Sequence, residues 1–338
     1  MQNKLDKIVI SRTDSIGDVI LTLPIAGILK QKYPDAKIIF FGNTYTQPII
    51  TSSVHVDEIW EWAEFVKKDQ KTQLKWLKSQ NIDAFIHIFP RKELARLVKK
   101  AGIKIRIGTS HRLYHLTTCN YRPNFTRKNS ELHEAQLNTK LLSPLGIGGN
   151  YSLAELNHFV GFENIPTLKD NFKALLDPTK INLILHSKSQ GSAIEWGVEN
   201  FIKLAIELDP EKVNIFFTGT EKESEYFRSL LPIQENIHDV SGQMDLFDLI
   251  AFIANADAIV AASTGPLHIG GILGIRTIGL FANLKPMHAG RWQPLGNDVV
   301  IMEDEKKSEK TQPLLINHRS IIKGVYATAL KRNKPGTR

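Results

Sequence analysis

Residues 263–271, S-T-G-P-L-H-I-G-G, carry the strongest chemical signal in this chain. They follow the apolar run 258–262 and open a helix of small residues, so they read as a strand, a tight turn and a helix N-terminus. The first backbone N–H groups of a helix have no intrahelical partner, and the macrodipole adds partial positive charge there. A pyrophosphate can therefore sit at such a turn. Gly265 lets a ligand approach closely, Pro266 suits the first helical position, and Ser263 or Thr264 can cap the helix. A purely structural turn has the same punctuation. At the other end of the chain, the short apolar strand K-I-V-I-S (7–11) leads into R-T-D-S-I-G-D and then a helix-like run from Val19. The loop carries Asp14, Gly17 and Asp18. Its spacing is neither the three-glycine dinucleotide fingerprint nor a phosphate loop ending in Gly-Lys-Ser/Thr. By position alone Asp18 reads as an N-cap and Asp14 as a turn residue.

These two loops need elements to hold them, and composition bounds what those are. At 338 residues, with 42% hydrophobic and 23% charged, the chain is ordinary for globular protein and long enough for two domains. A single cysteine, Cys119, excludes an internal disulfide framework and a cysteine zinc cage, and it fits a reducing cytoplasm. The N-terminus M-Q-N-K-L-D-K has no apolar signal core and no stretch approaches a membrane span, so a cytoplasmic protein is expected. The formal charge of +8 favours anionic partners. Much of the excess lies in 91–112, which holds Arg91, Arg96, Lys99 and Lys100, and in the tail 331–338. No nucleic-acid motif and no interleaved stacking aromatics accompany it, so nucleic acid is not expected. An anionic glycolipid at the inner face of a membrane suits a basic surface better, and a solvated helix face leaves the same trace.

Apolar runs alternate with helical patterns in both halves, as a doubly wound α/β protein requires. Strands are expected at 8–11, 36–42, 58–60, 84–88 and 103–108, then at 181–187, 213–219, 237–239, 258–262 and 277–281. Helices in the second half are expected at 199–208, 221–231, 244–254 and 267–273. Prolines and mixed polar residues over 161–180 predict a linker between domains 1–165 and 175–338, with the C-terminal helix able to pack back on the first domain. Ligands of open α/β sheets bind at the carboxyl ends of strands, so Asp18 and 263–268 are expected to meet across one cleft.

Taken together, R-T-D-S-I-G-D-V-I-L-T-L-P, H-S-K-S-Q-G-S-A-I-E-W, G-Q-M-D-L-F-D-L-I-A-F-I-A-N-A-D and S-T-G-P-L-H-I-G-G-I-L-G resemble glycosyltransferase family 9, whose best-known members are heptosyltransferases. The resemblance runs from about Lys7 to Ile322. It implies a GT-B fold of two Rossmann-like domains facing across a cleft, an acceptor on the N-terminal domain, a nucleotide sugar on the C-terminal one, and no metal or other cofactor. It further implies that Asp18 is the general base that deprotonates an acceptor hydroxyl. The leaving diphosphate then falls to the turn Ser263, Thr264, Gly265, Pro266, Leu267 and His268, with Lys188 and Ser189. Glu223 falls at a ribose position and Met244 beside the base. Arg12, Arg91, Arg96, Lys99 and Lys100 lie on the acceptor side. Arg291 and Trp292 form a loop motif without an assigned role.

The chain departs from the best-characterised heptosyltransferases at two places. Ser263 stands where they have an aspartate, and Ile194-Glu195 precede Trp196 where they carry a lysine, so Lys188 is the expected replacement counter-charge. The reading that follows is an inverting transferase moving heptose or a related sugar, from ADP-heptose first, onto a lipopolysaccharide core or similar glycan. A nucleotide-sugar epimerase and a non-catalytic sugar-nucleotide binder are the alternatives.

Overall fold

The computed structural model describes residues 4–128 and 130–332. The basic tail beyond Arg332 lies outside the described residues. The chain forms two compact units, Met1–Asn164 and Ile165–Arg338.

The first unit is a five-stranded parallel sheet: β1 Lys7–Ser11, β2 Lys37–Gly42, β3 Glu58–Glu61, β4 Ala84–His87 and β5 Ile105–Ile107, in the order β3-β2-β1-β4-β5. β1 is central, pairing Ile8 with Ile38 on one side and with Ala84 on the other. Its residues read as a continuous apolar run because both faces are covered, as parallel sheets require. One face packs Val9, Ile39, Phe41 and Phe85 against Leu94, Leu97 and Val98 of the helix Lys92–Lys100. The helix expected after Asp18 is broken into Ile16–Ile20 and Leu23–Lys32. Pro24 is the cause: it has no N–H for the Ile20 carbonyl, and its ring crowds the preceding turn. The break leaves the Thr22 hydroxyl to donate to the Asp18 carbonyl at 2.8 Å.

The second unit has six parallel strands: β6 Ile181–His186, β7 Val213–Phe217, β8 Ile237–Asp239, β9 Ala258–Ala262, β10 Arg276–Phe281 and β11 Val299–Glu303. Their order is β11-β10-β9-β6-β7-β8. Counted from its own first strand this is 3-2-1-4-5-6, the doubly wound nucleotide-binding order, and the first unit has the same order without the sixth strand. β11 was not among the expected strands. It pairs only with β10, is half-buried, and runs straight into E-D-E-K-K, so its apolar signal is short. The helix expected over 221–231 stops at Ser224, because Phe227 turns inward to pack on Phe217.

The stretch expected as a linker is tied down at both ends. Val54 N–H donates to the Gly161 carbonyl at 2.8 Å within the first unit. Lys169 pairs with Asp248 at 2.7 Å and Phe172 packs on Phe252 within the second. Ile321 and Val325 of the C-terminal helix His318–Arg332 lie in the second unit's core.

Candidate active site

In a doubly wound sheet the loops after strands one and four diverge to opposite faces, and the crevice between them is where ligands bind. In the first unit those loops follow β1 and β4; in the second they follow β6 and β9. Most of the residues singled out in the sequence stand on these four loops.

After β1 the chain places Arg12 at the centre of a carboxylate cluster. Its Nε donates to Asp14 Oδ1 at 2.7 Å, one terminal nitrogen to Glu134 Oε1 at 3.3 Å, and the other to Asp18 Oδ1. The guanidinium is 4% exposed and fully engaged, so Arg12 holds this chain's own carboxylates rather than offering its charge to an acceptor. Asp18 is the third residue of the helix Ile16–Ile20, and the N-cap is Ser15, so the N-cap reading of Asp18 does not hold. Its second oxygen accepts from the Ser15 hydroxyl. The carboxylate is thus oriented on both oxygens, and 19% of its side chain remains exposed. Behind it, Arg127 donates to Glu134 and, at 2.9 Å, to Asn138, whose amide donates to the Leu21 carbonyl at 3.0 Å. Neither Glu134 nor Arg127 was a sequence candidate. The Arg12–Glu134 pairing joins residues 122 apart, and no local pattern announces it.

Asp14 and Asp18 are two like charges within this partly desolvated cluster. Burial pushes the Asp14 carboxyl up to about 6; Arg12 opposes the rise and Asp18 adds to it. For Arg12 itself burial works against the charged form, but Asp18, Asp14 and Glu134 outweigh it and hold it firmly protonated. The folded protein therefore keeps the Asp14 proton to higher pH than the unfolded chain, and this group's contribution to stability falls as pH rises from 3.8 to about 6. Asp14→Asn is expected to flatten that fall, read as urea midpoints across the interval. Equal slopes in both proteins would remove Asp14 as its origin.

Arg91 stands at the site end of the sheet, just beyond β4. Its Nε donates to the Thr13 hydroxyl at 2.5 Å, and its guanidinium lies 4.6 Å from the Trp62 ring centroid. Arg96, Lys99 and Lys100 are exposed on the helix that Arg91 caps. That helix runs away from the strand ends, so Lys100 lies about 14 Å further along it at 1.5 Å per residue. The basic stretch is therefore not one patch at the site.

In the second unit, the helix Gly265–Leu273 follows β9 with Thr264 as its N-cap. Gly265 takes the first helical position and Pro266 the second, one place later than expected. No side chain caps the helix, so its first N–H groups face outward from the strand end. The glycines place it: a Cβ on Gly270 would lie 2.6 Å from Ile259 of β9, and one on Gly271 would lie 2.4 Å from the Leu295 carbonyl. Leu267 packs inward with Ala261, Phe281 and Ala289, so only its backbone N–H remains for a ligand. His268 is buried on the same turn, and Ser263 is half-buried.

After β6, Lys188 pairs with Glu195 at 2.6 Å and lies 4.6 Å from the Tyr226 ring centroid. Ser189 donates to the same carboxylate from its N–H and its hydroxyl, at 2.8 and 2.9 Å. Glu223, just beyond β7, closes a capping box with Thr220 through one oxygen, at 2.7 Å from the Thr220 N–H. Its charge reaches His186, although burial dominates there and lowers that imidazole's pKa. Met244 is half-buried just before the helix Leu246–Asn255. Arg291 is buried against Trp292 in the loop after β10, where Trp292 Nε1 donates to the Pro286 carbonyl at 2.9 Å.

Four buried polar side chains without a hydrogen-bond partner mark the two switch points: Ser11 and His87 at the ends of β1 and β4, Ser187 and Thr264 just past β6 and β9. Other buried atoms without a hydrogen-bond partner among the described residues, His115 Nε2, Arg276 Nε and the Thr328 hydroxyl, are not on these four loops. Buried polar groups are ordinarily paired, so their placement at the strand ends fits crevices made to take polar groups from outside the chain.

The family model for glycosyltransferase family 9 (heptosyltransferase) matches residues 73–316, most of the chain. The chain belongs to glycosyltransferase family 9. A Haemophilus influenzae protein named only as a glycosyltransferase is 28% identical over 309 residues, covering 87% of each chain. The lipopolysaccharide core heptosyltransferase OpsX of that organism is 21% identical, covering 90% of this chain and 87% of its own. Among solved structures, the family 9 glycosyltransferase of Veillonella parvula superposes with a TM-score of 0.76 at 17% identity, over 98% of this chain and 99% of its own. The E. coli heptosyltransferase WaaC with ADP gives 0.72 at 16% identity, over 95% and 99%. This glycosyltransferase accordingly has the two-unit GT-B fold of its family.

Proposed function

We propose that this glycosyltransferase moves heptose or a closely related sugar from a nucleotide diphosphate donor, ADP-heptose first, to a lipopolysaccharide core or similar anionic glycolipid, inverting the anomeric carbon. The observation that carries the reading is Asp18, a partly exposed carboxylate oriented on both oxygens by Arg12 and Ser15 at the first unit's switch point. Its membership of family 9 and its heptosyltransferase relatives support the class of donor and acceptor.

In this reaction Asp18 accepts the proton of an acceptor hydroxyl as that oxygen forms its bond to the anomeric carbon. The bond from that carbon to the donor phosphate oxygen breaks on the opposite side, and the nucleoside diphosphate leaves with the electron pair. The N–H groups at Thr264–His268 stabilise the charge that develops on the diphosphate, and Glu223 accepts from the ribose hydroxyls through its oxygen outside the capping box. Arg91 gives the acceptor side a positive charge at the strand ends. Among the described residues no helix is long and apolar enough to cross a membrane, so a membrane-borne acceptor would be met from the surface, with the exposed Arg96, Lys99 and Lys100 favouring an anionic one. The test is transfer from ADP-heptose to heptose-deficient lipopolysaccharide, followed by mass spectrometry and anomeric analysis of the product. A mass increase of one heptose with inversion is expected; donor consumption without acceptor, giving an epimerised sugar, would replace this reading.

A further inference from the structure

Glu195 stands one residue before the buried Trp196. Its carboxylate gathers donors from one loop: Lys188 Nζ at 2.6 Å on one oxygen and the Ser189 N–H at 2.8 Å on the other, with the Ser189 hydroxyl shared between that second oxygen at 2.9 Å and the Ala193 carbonyl at 3.1 Å. An ammonium, a backbone N–H and a hydroxyl converging on two oxygens form the donor set that a phosphate group takes. The loop lies just past β6, beside the unpartnered Ser187 and across the switch point from Thr264.

The segment does not depend on this carboxylate for its anchorage. The Glu195 carbonyl accepts from Leu314 N–H at 2.9 Å. Trp196 is 1% exposed and donates from Nε1 to the Ile316 carbonyl at 3.0 Å. Upstream, Gln190 and Gly191 turn the chain at φ 49° and 80°, and Ser192 N–H closes the turn on the Ser189 carbonyl at 3.0 Å. Lys188 Nζ also lies 4.6 Å from the Tyr226 ring centroid.

We propose that Glu195 is a resident anion on the donor set expected to take the diphosphate, Lys188 Nζ with the Ser189 N–H and hydroxyl, and that the donor's diphosphate displaces it. This rests on the nucleotide diphosphate reading above and deepens it: Glu195 sets the affinity and the charge selectivity of the donor site. A donor must bring enough negative charge to compete with a carboxylate already in place, so the site favours a diphosphate over a neutral sugar.

The experiment is calorimetric titration of the full chain with ADP and, separately, inorganic pyrophosphate. Glu195→Gln keeps the side-chain shape and its acceptor oxygen but removes the competing charge, and ADP is expected to bind about tenfold more tightly, in keeping with the cost of placing like charges together. Lys188→Ala is expected to weaken ADP binding more in the Glu195→Gln background than in the native chain, because only there is the ammonium wholly available to the ligand. A carboxylate that merely braces the loop predicts the opposite: weaker binding by Glu195→Gln and no such coupling, and either result overturns the proposal. If the variants unfold, hydrogen exchange on the native chain decides. Saturating ADP should slow exchange at Ser189 and speed it over 193–195, and unchanged exchange there counts against displacement. If ADP binds the native chain while Glu195→Gln leaves its affinity unchanged, only this proposal fails. If neither ADP nor pyrophosphate binds any form, the donor reading falls and takes the proposal with it.

Discussion

Replacing Asp18 by Asn is expected to lower kcat by roughly a hundredfold or more while leaving ADP affinity near the native value, since general-base catalysis contributes on that order. The geometry makes the substitution informative. Asp18 Oδ1 accepts from Arg12 and Oδ2 from Ser15, so the carboxylate has no freedom to be replaced by a rotated neighbour. An amide at this position can satisfy one of those donors with its oxygen, but its NH2 then faces the other, and it cannot take a proton near neutral pH. The donor residues proposed above lie in the second unit, outside the unit that carries Asp18, so the binding isotherm for ADP serves as an internal control for folding. Turnover within a few-fold of native would remove Asp18 as the base. A loss of ADP affinity equal to the loss in kcat would move its role from proton transfer to donor binding.

Much of this arrangement could be read from the residue order. The apolar runs that became β1, β6 and β9 are continuous because parallel strands are buried on both faces, and each ends in a loop whose small and polar residues announce a turn. That suffices to put 12–18, 187–189 and 263–268 at strand ends, and a strand end in a doubly wound sheet is where ligands bind. What the order does not disclose is which charges meet. Arg12 reads as a basic residue on an acceptor-side loop. It is instead the hub of a cluster whose fourth member, Glu134, arrives from a helix 122 residues later. Lys188 reads as a free counter-charge, and Glu195, seven residues on, neutralises it through a turn that only the backbone at Gln190 and Gly191 makes possible. Arg96, Lys99 and Lys100 look like a continuation of Arg91, and the direction of one helix separates them. In each case periodicity locates the element, while side-chain pairing depends on the tertiary contact, which leaves no local trace.

The largest stability effect is expected at Arg12. Arg12 and Glu134 are 4% and 2% exposed, so their pairing is a buried one, and deleting Arg12 leaves Glu134 with Arg127 while Asp14 and Asp18 lose the cation they share. Arg12→Met is expected to cost about 3–5 kcal/mol in urea unfolding, the range for breaking a buried pair from one side. It also brings Asp14 and Asp18 into mutual repulsion without the cation between them. Adding Glu134→Leu should recover much of the loss, because two apolar side chains then pack where two charges stood, and Arg127, 26% exposed, can turn its guanidinium to solvent. Activity should not recover with it. Asp18 would still lack the guanidinium that fixes Oδ1, so a stable double variant with kcat well below native separates the positioning of Asp18 from the stability of the unit. Arg12→Lys tests the same point from the other side: it keeps the charge, but its three donors sit on one nitrogen and cannot span carboxylates that meet three separate guanidinium nitrogens, so it should retain more stability than Met and still lose turnover. Arg12→Met within about 1 kcal/mol of native would show that the cluster is not what holds these loops together, the contribution expected of exposed pairs rather than buried ones.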